Sequence, residues 1–475
     1  MEVIEVGRTA VLSSAIAAAA AISTGCAAVG PNYSRPQLAT PPQYRYVEGV
    51  EQAASLADLP WFEVFQDPSL QTLIREAVGN NLDLKAATAR VEEARARAGI
   101  ARSFLYPQVD GVASYSVRQA SSSKDQETGG EDTTHQSGVY GFQLSWELDL
   151  FGRLRREREA AVALALASEQ ARRGVLVTLV GDVSTNYFLL RELDLQLEIS
   201  RQTLRTNDDT VTYFRNRLDG GVSNRLELDR IVANRARTAT AIPDIERQIG
   251  AVENLISLLL GRPPGPITRQ AMRTDEVLPP PIPVGLPASL LERRPDVVEA
   301  EQQLVAANAD IGAAKALFFP TISLTGFLGG VSGDLTKFLG GDGAVWGLSP
   351  SLFQPIFQAG RLRRNLEAAQ ARFDVAMALY QKSALNGYRE VANALVDIQK
   401  LAQMRVERQA SVTVLLDASD LSRSRYDSGL ASYLEILTAD ERLFEEQILL
   451  AQTRGAEFRA RAELYRTLGG GWQQP

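Results

Sequence analysis

Residues 139–150 read VYGFQLSWELDL. Large apolar side chains occupy every second position of this stretch, and Gly, Gln, Ser, Glu and Asp occupy the positions between them. A period of two is the pattern of a β-strand with one apolar and one polar face. A strand of about ten such residues is long enough to cross an outer membrane when it is tilted. A strand of a soluble β-sandwich would alternate in the same way, so this stretch alone leaves both interpretations open.

The chain contains an internal duplication. Three blocks of sequence recur in the same order and with nearly the same offset, which indicates a tandem repeat. We expect two structural repeats, residues 67–270 and 271–475. The matching blocks are 83–107 with 296–320, the GRLRR sequence at 152–156 and 360–364, and 215–227 with 423–435.

Each repeat has the same predicted order of elements. An Ala-rich helix is followed by a strand, a polar or Gly-rich loop, a second strand and a very long helix without proline, which at 1.5 Å per residue spans roughly 100 Å. Each long helix turns at a tip that contains Gly and returns as another helix, which is typical of a coiled coil. The predicted strands are about 109–117, 139–150, 321–329 and 344–357, and the predicted long helices are 154–218 and 361–426, returning as 225–260 and 433–468.

Four strands per chain have a consequence for assembly. Four strands cannot close into a barrel, and unpaired backbone groups at an open edge in lipid cost several kcal/mol each. Several copies must therefore complete the barrel, and three copies of four strands would give an even number within the bacterial range. We predict a mixed α and β membrane protein, with four β-strands per chain in an oligomeric β-barrel that is continued by a long helical barrel of coiled-coil type. That the barrel is a trimer with twelve strands is what the family resemblance given below implies.

The N-terminus has the pattern of an export signal. Residues 10–22 are apolar and small, too few to span a bilayer, and they lead directly to Ser23-Thr24-Gly25-Cys26. This pattern resembles a bacterial lipobox, with a signal peptide at 1–25 and Cys26 as the lipidated first residue of an N-terminal segment, 26–66. The alternative is a buried structural cysteine. Ala27 after the cysteine, rather than Asp, implies sorting to the outer membrane.

The composition argues against several functional classes. The net charge of −7 provides no basic surface for nucleic acid. A single cysteine and a single histidine, His135, exclude an internal disulfide framework and clusters of Cys or His around a metal. We predict no catalytic residues, no cofactor and no metal site, and hence no enzyme.

Several motifs resemble one known family. The tract Gly30-Pro31-Asn32-Tyr33, the sequence LLGRPPG at 259–265, LPASLLERRPD at 286–296 and FPTISLTG at 319–326 are similar to the outer-membrane-factor (TolC-like) family, in its NodT/OprM-like lipoprotein branch. The resemblance implies a lipid-anchored homotrimer in the outer membrane that works with a periplasmic adaptor and an inner-membrane pump of the resistance-nodulation-division (RND) type. It implies passive export of small molecules. Two alternatives remain: a type I protein-secretion duct, and a periplasmic scaffold lipoprotein without a pore.

The resemblance also implies a gate and a docking surface at the helix tips. Thr438 stands where many members of the family have Asp, and Ala431 stands where TolC itself has Arg. The charged residues have the alternative role of solvating a coiled-coil surface. Glycine at a tip equally permits a tight turn without any docking role. The predicted gate residues are Arg215, Arg217, Asp219, Glu227, Arg423, Arg425, Tyr426, Asp427 and Glu435, and the predicted adaptor-docking residues are Gly221, Val222, Ser223, Gly429, Leu430 and Ala431.

Overall fold

The computed structural model describes residues 28–42, 44, 67–119, 134–272, 291–333 and 343–470. The predicted signal peptide, Cys26 and most of the segment 26–66 lie outside the described residues. The described elements follow the repeated order predicted from the sequence. They are α1 (Pro68–Asn80), α2 (Leu82–Ser103), β1 (Gln108–Gln119), β2 (Thr134–Leu148), α3 (Arg153–Asp219), α4 (Arg225–Leu259), α5 (Pro295–Ala316), β3 (Thr321–Ser332), β4 (Ala344–Phe353), α6 (Arg361–Asp427) and α7 (Tyr433–Thr467).

The four strands form one antiparallel sheet in the order β1-β2-β3-β4. Several strand ends differ from the prediction, and the structure shows a physical reason for two of them. Strand β2 ends at Leu148 rather than at residue 150 because the Asp149 carboxylate accepts the backbone N–H groups of Leu154 and Arg155, both at 3.0 Å, and so caps α3. Strand β4 ends at Phe353 rather than at residue 357, two residues before Pro355, which has no N–H to donate.

The register of the sheet separates apolar from polar side chains. Directly paired residues point to the same face, and the pairs Phe142–Leu328 and Leu328–Trp346 continue one apolar row across three strands. On the opposite face, Ser323 and Ser351 are paired and their hydroxyl groups lie 2.7 Å apart. The apolar face is exposed in the single chain, with Trp346 80% exposed. The sheet thus has one face suited to lipid and one suited to water.

The long helices α3 and α6 each contain 67 residues, and the return helices α4 and α7 each contain 35. Identical lengths in the two halves agree with the tandem repeat. No helix in the described part of the chain is long and apolar enough to cross a bilayer.

The compact units are not the two sequence repeats, because each unit contains residues of both. The described residues of 1–37, 90–168 and 300–380 form one unit, which includes the sheet, and those of 38–89, 169–299 and 381–475 form the other. The second unit has a large apolar core around the fully buried Tyr187, Leu190 and Ile256.

The first unit contains an N-terminal strap, residues 28–35. Arg35 Nε donates to Glu301 Oε1 at 2.7 Å, and Asn308 Nδ2 donates to the carbonyl of Pro31 at 3.0 Å, so the strap is held along α5. Gly30 approaches α5 so closely that a Cβ atom would lie 2.4 Å from Cα of Gly312. The chain after the predicted lipid attachment point is therefore fixed to the folded protein.

Candidate gate at the helix tips

The two helical tips have the same backbone conformation. Gly221 and Gly429 have φ values of 73° and 75°, in the left-handed region that favours glycine. The N–H groups of Val222 and Leu430 each donate to a carbonyl five residues earlier, at 2.9 Å. This is the Schellman ending of a helix, and it explains why glycine recurs at these positions of both repeats.

An aromatic cluster joins the two tips within the second unit. Phe214 of α3 is 2% exposed, and its ring centroid lies 4.3 Å from that of Tyr433 on α7. Tyr426 at the end of α6 lies 5.9 Å from both rings. Burial raises the pKa of Tyr433 above its ordinary value. The first-repeat hairpin therefore packs directly against the second-repeat hairpin.

The second-repeat tip contains two ion pairs. Arg425 Nε lies 3.6 Å from Glu435 Oε2, and both side chains are about half exposed. Arg423 Nη2 lies 3.1 Å from Asp440 Oδ2, and the Ser419 hydroxyl donates to the same carboxylate. The Arg423–Asp440 pair lies in the wall of a cleft of about 280 Å³ formed by α3, α6 and α7. Both pairs connect the descending helix α6 to the return helix α7.

The first-repeat tip uses different contacts. Arg217 Nη1 donates to the Tyr213 hydroxyl at 3.0 Å, and this hydrogen bond raises the pKa of Arg217. The guanidinium carbon of Arg217 lies 5.7 Å from the ring centroid of Tyr426, a cation–π contact between the two hairpins. Glu227 accepts a hydrogen bond from the Ser223 hydroxyl at 2.7 Å and forms no ion pair among the residues that the structure describes. Arg217 therefore contacts the predicted gate residue Tyr426, whereas Glu227 stabilises its own turn.

The remaining predicted gate residues are less organised. Arg215, Asp219 and Asp427 are exposed, and the described part of the structure gives them no ion pair. Thr438 donates to the carbonyl of Leu434 within its own helix at 2.8 Å. Asp440, which the sequence analysis did not select, provides the carboxylate that pairs with Arg423.

The predicted docking residues present apolar groups at the tips. Val222 is 66% exposed and Leu430 is 71% exposed, and they follow the two capping glycines at equivalent positions. Ser223 is partly buried by its contact with Glu227. The residue after each capping glycine therefore presents an exposed aliphatic side chain.

Comparison with known proteins identifies the family. Residues 73–262 and 286–470 match the model of the outer membrane efflux protein family. The chain belongs to this family. It is 34% identical to the cation efflux system protein CusC of Escherichia coli K12, over 94% of this chain and 97% of that protein. It is 35% identical to the solvent efflux pump outer membrane protein SrpC of Pseudomonas putida, over 94% and 96%.

A solved structure shows the same architecture. The open-state crystal structure of the outer membrane channel MtrE of Neisseria gonorrhoeae superposes with a TM-score of 0.84 and 28% identity, covering 94% of this chain and 99% of that one. The chain therefore has the TolC-like fold, and the fold predicted from its sequence is confirmed. The chain is an outer-membrane efflux channel with a periplasmic helical extension. The relatives named above are channel or efflux proteins rather than enzymes.

Proposed function

We propose that three copies of this chain form a gated duct that conducts small molecules passively from the periplasm to the exterior. The supporting observation is the register of the sheet. Strands β1 and β4 are the two edges of one antiparallel sheet, and its apolar face is exposed over its whole width. Because β1 and β4 run in opposite directions, β4 of one copy can pair in antiparallel fashion with β1 of the next.

The gate of the proposed duct is the set of tip contacts. The ion pairs Arg425–Glu435 and Arg423–Asp440 hold α7 against α6, and the Arg217–Tyr426 contact holds one hairpin to the other. In a trimer, three copies of Glu435 would approach one axis and repel each other unless each is paired. The closed state therefore depends on arginine partners, and opening requires these contacts to separate.

The partners of the proposed duct follow from its two ends. The exposed Val222 and Leu430 on glycine-capped turns suit docking by a periplasmic adaptor, which would connect the duct to an inner-membrane RND pump. Lipidation of Cys26 would anchor the chain to the outer membrane, and the fixed strap after it would transmit that anchor to α5. Relatives named for cation efflux and for solvent efflux support small molecules as the cargo.

The trimer is tested by native mass spectrometry of the purified, lipidated protein, followed by dye release from vesicles that contain it. We expect three chains per particle and slow release from vesicles with the wild-type protein. Glu435→Ala should accelerate release, whereas Glu407→Ala, an exposed carboxylate of α6, should not. Monomers that insert without releasing dye from either variant would contradict the proposal.

A further inference from the structure

The water-facing side of the sheet is not uniformly polar. At its α-helical end this face contains hydroxyl groups, among them Thr325, Ser349 and Ser351. Further along the strands, five positions of the same face are occupied by apolar side chains instead of polar ones. We name this group the apolar belt: Val112, Val139, Phe327, Val331 and Val345.

The pairing register assigns the belt to this face. Phe327 pairs with Gln143 on β2 and with Gly347 on β4, whereas its neighbours Gly326 and Leu328 belong to the opposite face with Leu144 and Trp346. Because side chains alternate strictly along a strand, Phe327 cannot lie on the lipid-facing side without a change of register.

Glycines leave room for the Phe327 ring. A Cβ atom at Gly329 would lie 2.9 Å from Cζ of Phe327 and 2.0 Å from the carbonyl oxygen of Tyr140, so the ring lies over a position where only glycine fits. At Gly347 a Cβ atom would meet nothing within 4 Å, so the space beside Phe327 on β4 is open. Phe327 is the largest side chain in the belt, since the others are all valines. Because the space beside it on β4 is open, the ring is accessible from that side.

A carboxylate lies in the same row as the ring. Asp110 on β1 pairs with Gln143 on β2, which pairs with Phe327 on β3. Adjacent strands are about 4.8 Å apart, so the backbone positions of Asp110 and Phe327 are separated by roughly 10 Å. An aromatic surface beside a negative charge is complementary to an organic cation with an apolar body.

We infer that the apolar belt is a contact site inside the duct for lipophilic organic cations, with Phe327 binding the apolar body and Asp110 attracting the charge. This inference rests on the proposed duct, because only there does this face line a pore. The site gives the barrel a chemical preference of its own, separate from the gate at the helix tips.

The test uses trimers held open by Glu435→Ala in planar bilayers, with tetraphenylphosphonium as the probe. We expect resolved blocking events whose dwell time falls about tenfold with Phe327→Ser, because one aromatic contact is lost. Phe327→Leu should retain most of the dwell time, and Ser351→Ala on the same face outside the belt should leave it unchanged. Asp110→Asn should reduce the rate of block by the cation.

Two further probes separate the contributions of charge and apolar surface. Tetramethylammonium, which has the charge without the aromatic body, should not block, and tetraphenylborate, which has the body with the opposite charge, should block less often than the cation. Normal KCl currents with tetraphenylphosphonium block unaffected by Phe327→Ser would overturn the belt and leave the duct intact. Absence of any KCl current from inserted protein would instead overturn the proposed function itself.

Discussion

The Nε atom of Arg425 lies 3.6 Å from the Oε2 atom of Glu435, across the turn that joins α6 to α7. Both side chains are about half exposed, so water and salt weaken their attraction. One such pair contributes little alone. In the proposed trimer three of them would lie around one axis and would act together on one equilibrium between closed and open tips.

The first prediction concerns this pair. Exposed ion pairs are worth about 0.5 kcal/mol, so losing three in a trimer should raise the open-to-closed ratio about tenfold. Arg425→Ala should raise the ratio at least as much as Glu435→Ala, because it leaves three unpaired Glu435 carboxylates that repel each other, and the double variant should resemble Glu435→Ala. Single-channel open probability measures this, with Arg247→Ala as the control, since Arg247 pairs with Asp244 within α4. Additive effects of the two single variants would show that the residues act separately.

The second prediction concerns the aromatic cluster between the hairpins. Phe214 is 2% exposed and contacts Tyr433, so Phe214→Ala should cost about 3–5 kcal/mol of stability at the tips. We expect faster proteolysis at the tips and a higher open probability. Leu226→Ala, at a side chain 60% exposed near the same tip, should change neither quantity. Equal behaviour of the two variants would mean that the cluster does not hold the hairpins together.

The third prediction compares two reasons why a position requires glycine: a Cβ atom would collide with a neighbour, or the backbone has a positive φ. Gly30 and Gly429 both have positive φ values, 104° and 75°, but only at Gly30 would a Cβ atom collide with backbone, at Cα of Gly312. Gly429→Ala should cost about 1–2 kcal/mol for left-handed backbone alone. Gly30→Ala should cost more and detach the strap from α5. Thermal unfolding followed by circular dichroism compares them, and a larger loss at Gly429 would contradict the close packing of the strap.

The fourth prediction concerns pH. Burial raises the pKa of the Glu192 carboxyl above its ordinary value near 4.5, although the nearby Arg459 opposes this effect. Between the ordinary and the raised pKa the folded protein holds a proton that the unfolded chain has lost, so stability falls as pH rises through this window. Glu192→Gln should remove this fall. The melting temperature of the variant relative to wild type should therefore increase from pH 4 to pH 7, and a constant or decreasing difference would contradict the assignment.

Much of the fold could be predicted because its signals are local. Alternation around Phe142 and Trp146 specifies a strand with two faces, and the absence of proline between residues 154 and 218 permits one long helix. The sequence predicts the start of β2 at residue 139 rather than 134, because residues 134–138 contain no apolar side chain and therefore show no alternation. They belong to the strand through backbone pairing with residues 115–119 of β1, which needs no alternation.

The candidate site was predicted less completely because its contacts are not local. Arg423, Arg425 and Glu435 were selected from the repeat and the family resemblance, and Glu435 does lie beside Arg425. Asp440 was missed because it lies 17 residues after Arg423 in the sequence, and the two side chains meet only when the tip brings α7 back alongside α6. Phe214 was missed because a single aromatic residue in a long helix does not indicate which partner helix buries it.

A duct gated at its helix tips is tested most sharply by single-channel conductance of the purified protein in planar bilayers. Wild type is compared with Glu435→Ala under the same salt and voltage. We expect small, mostly closed currents for wild type and larger, longer openings for the variant. No current from correctly folded, inserted protein of either kind would contradict the duct, and steady current unchanged by the substitution would contradict the gate at Glu435.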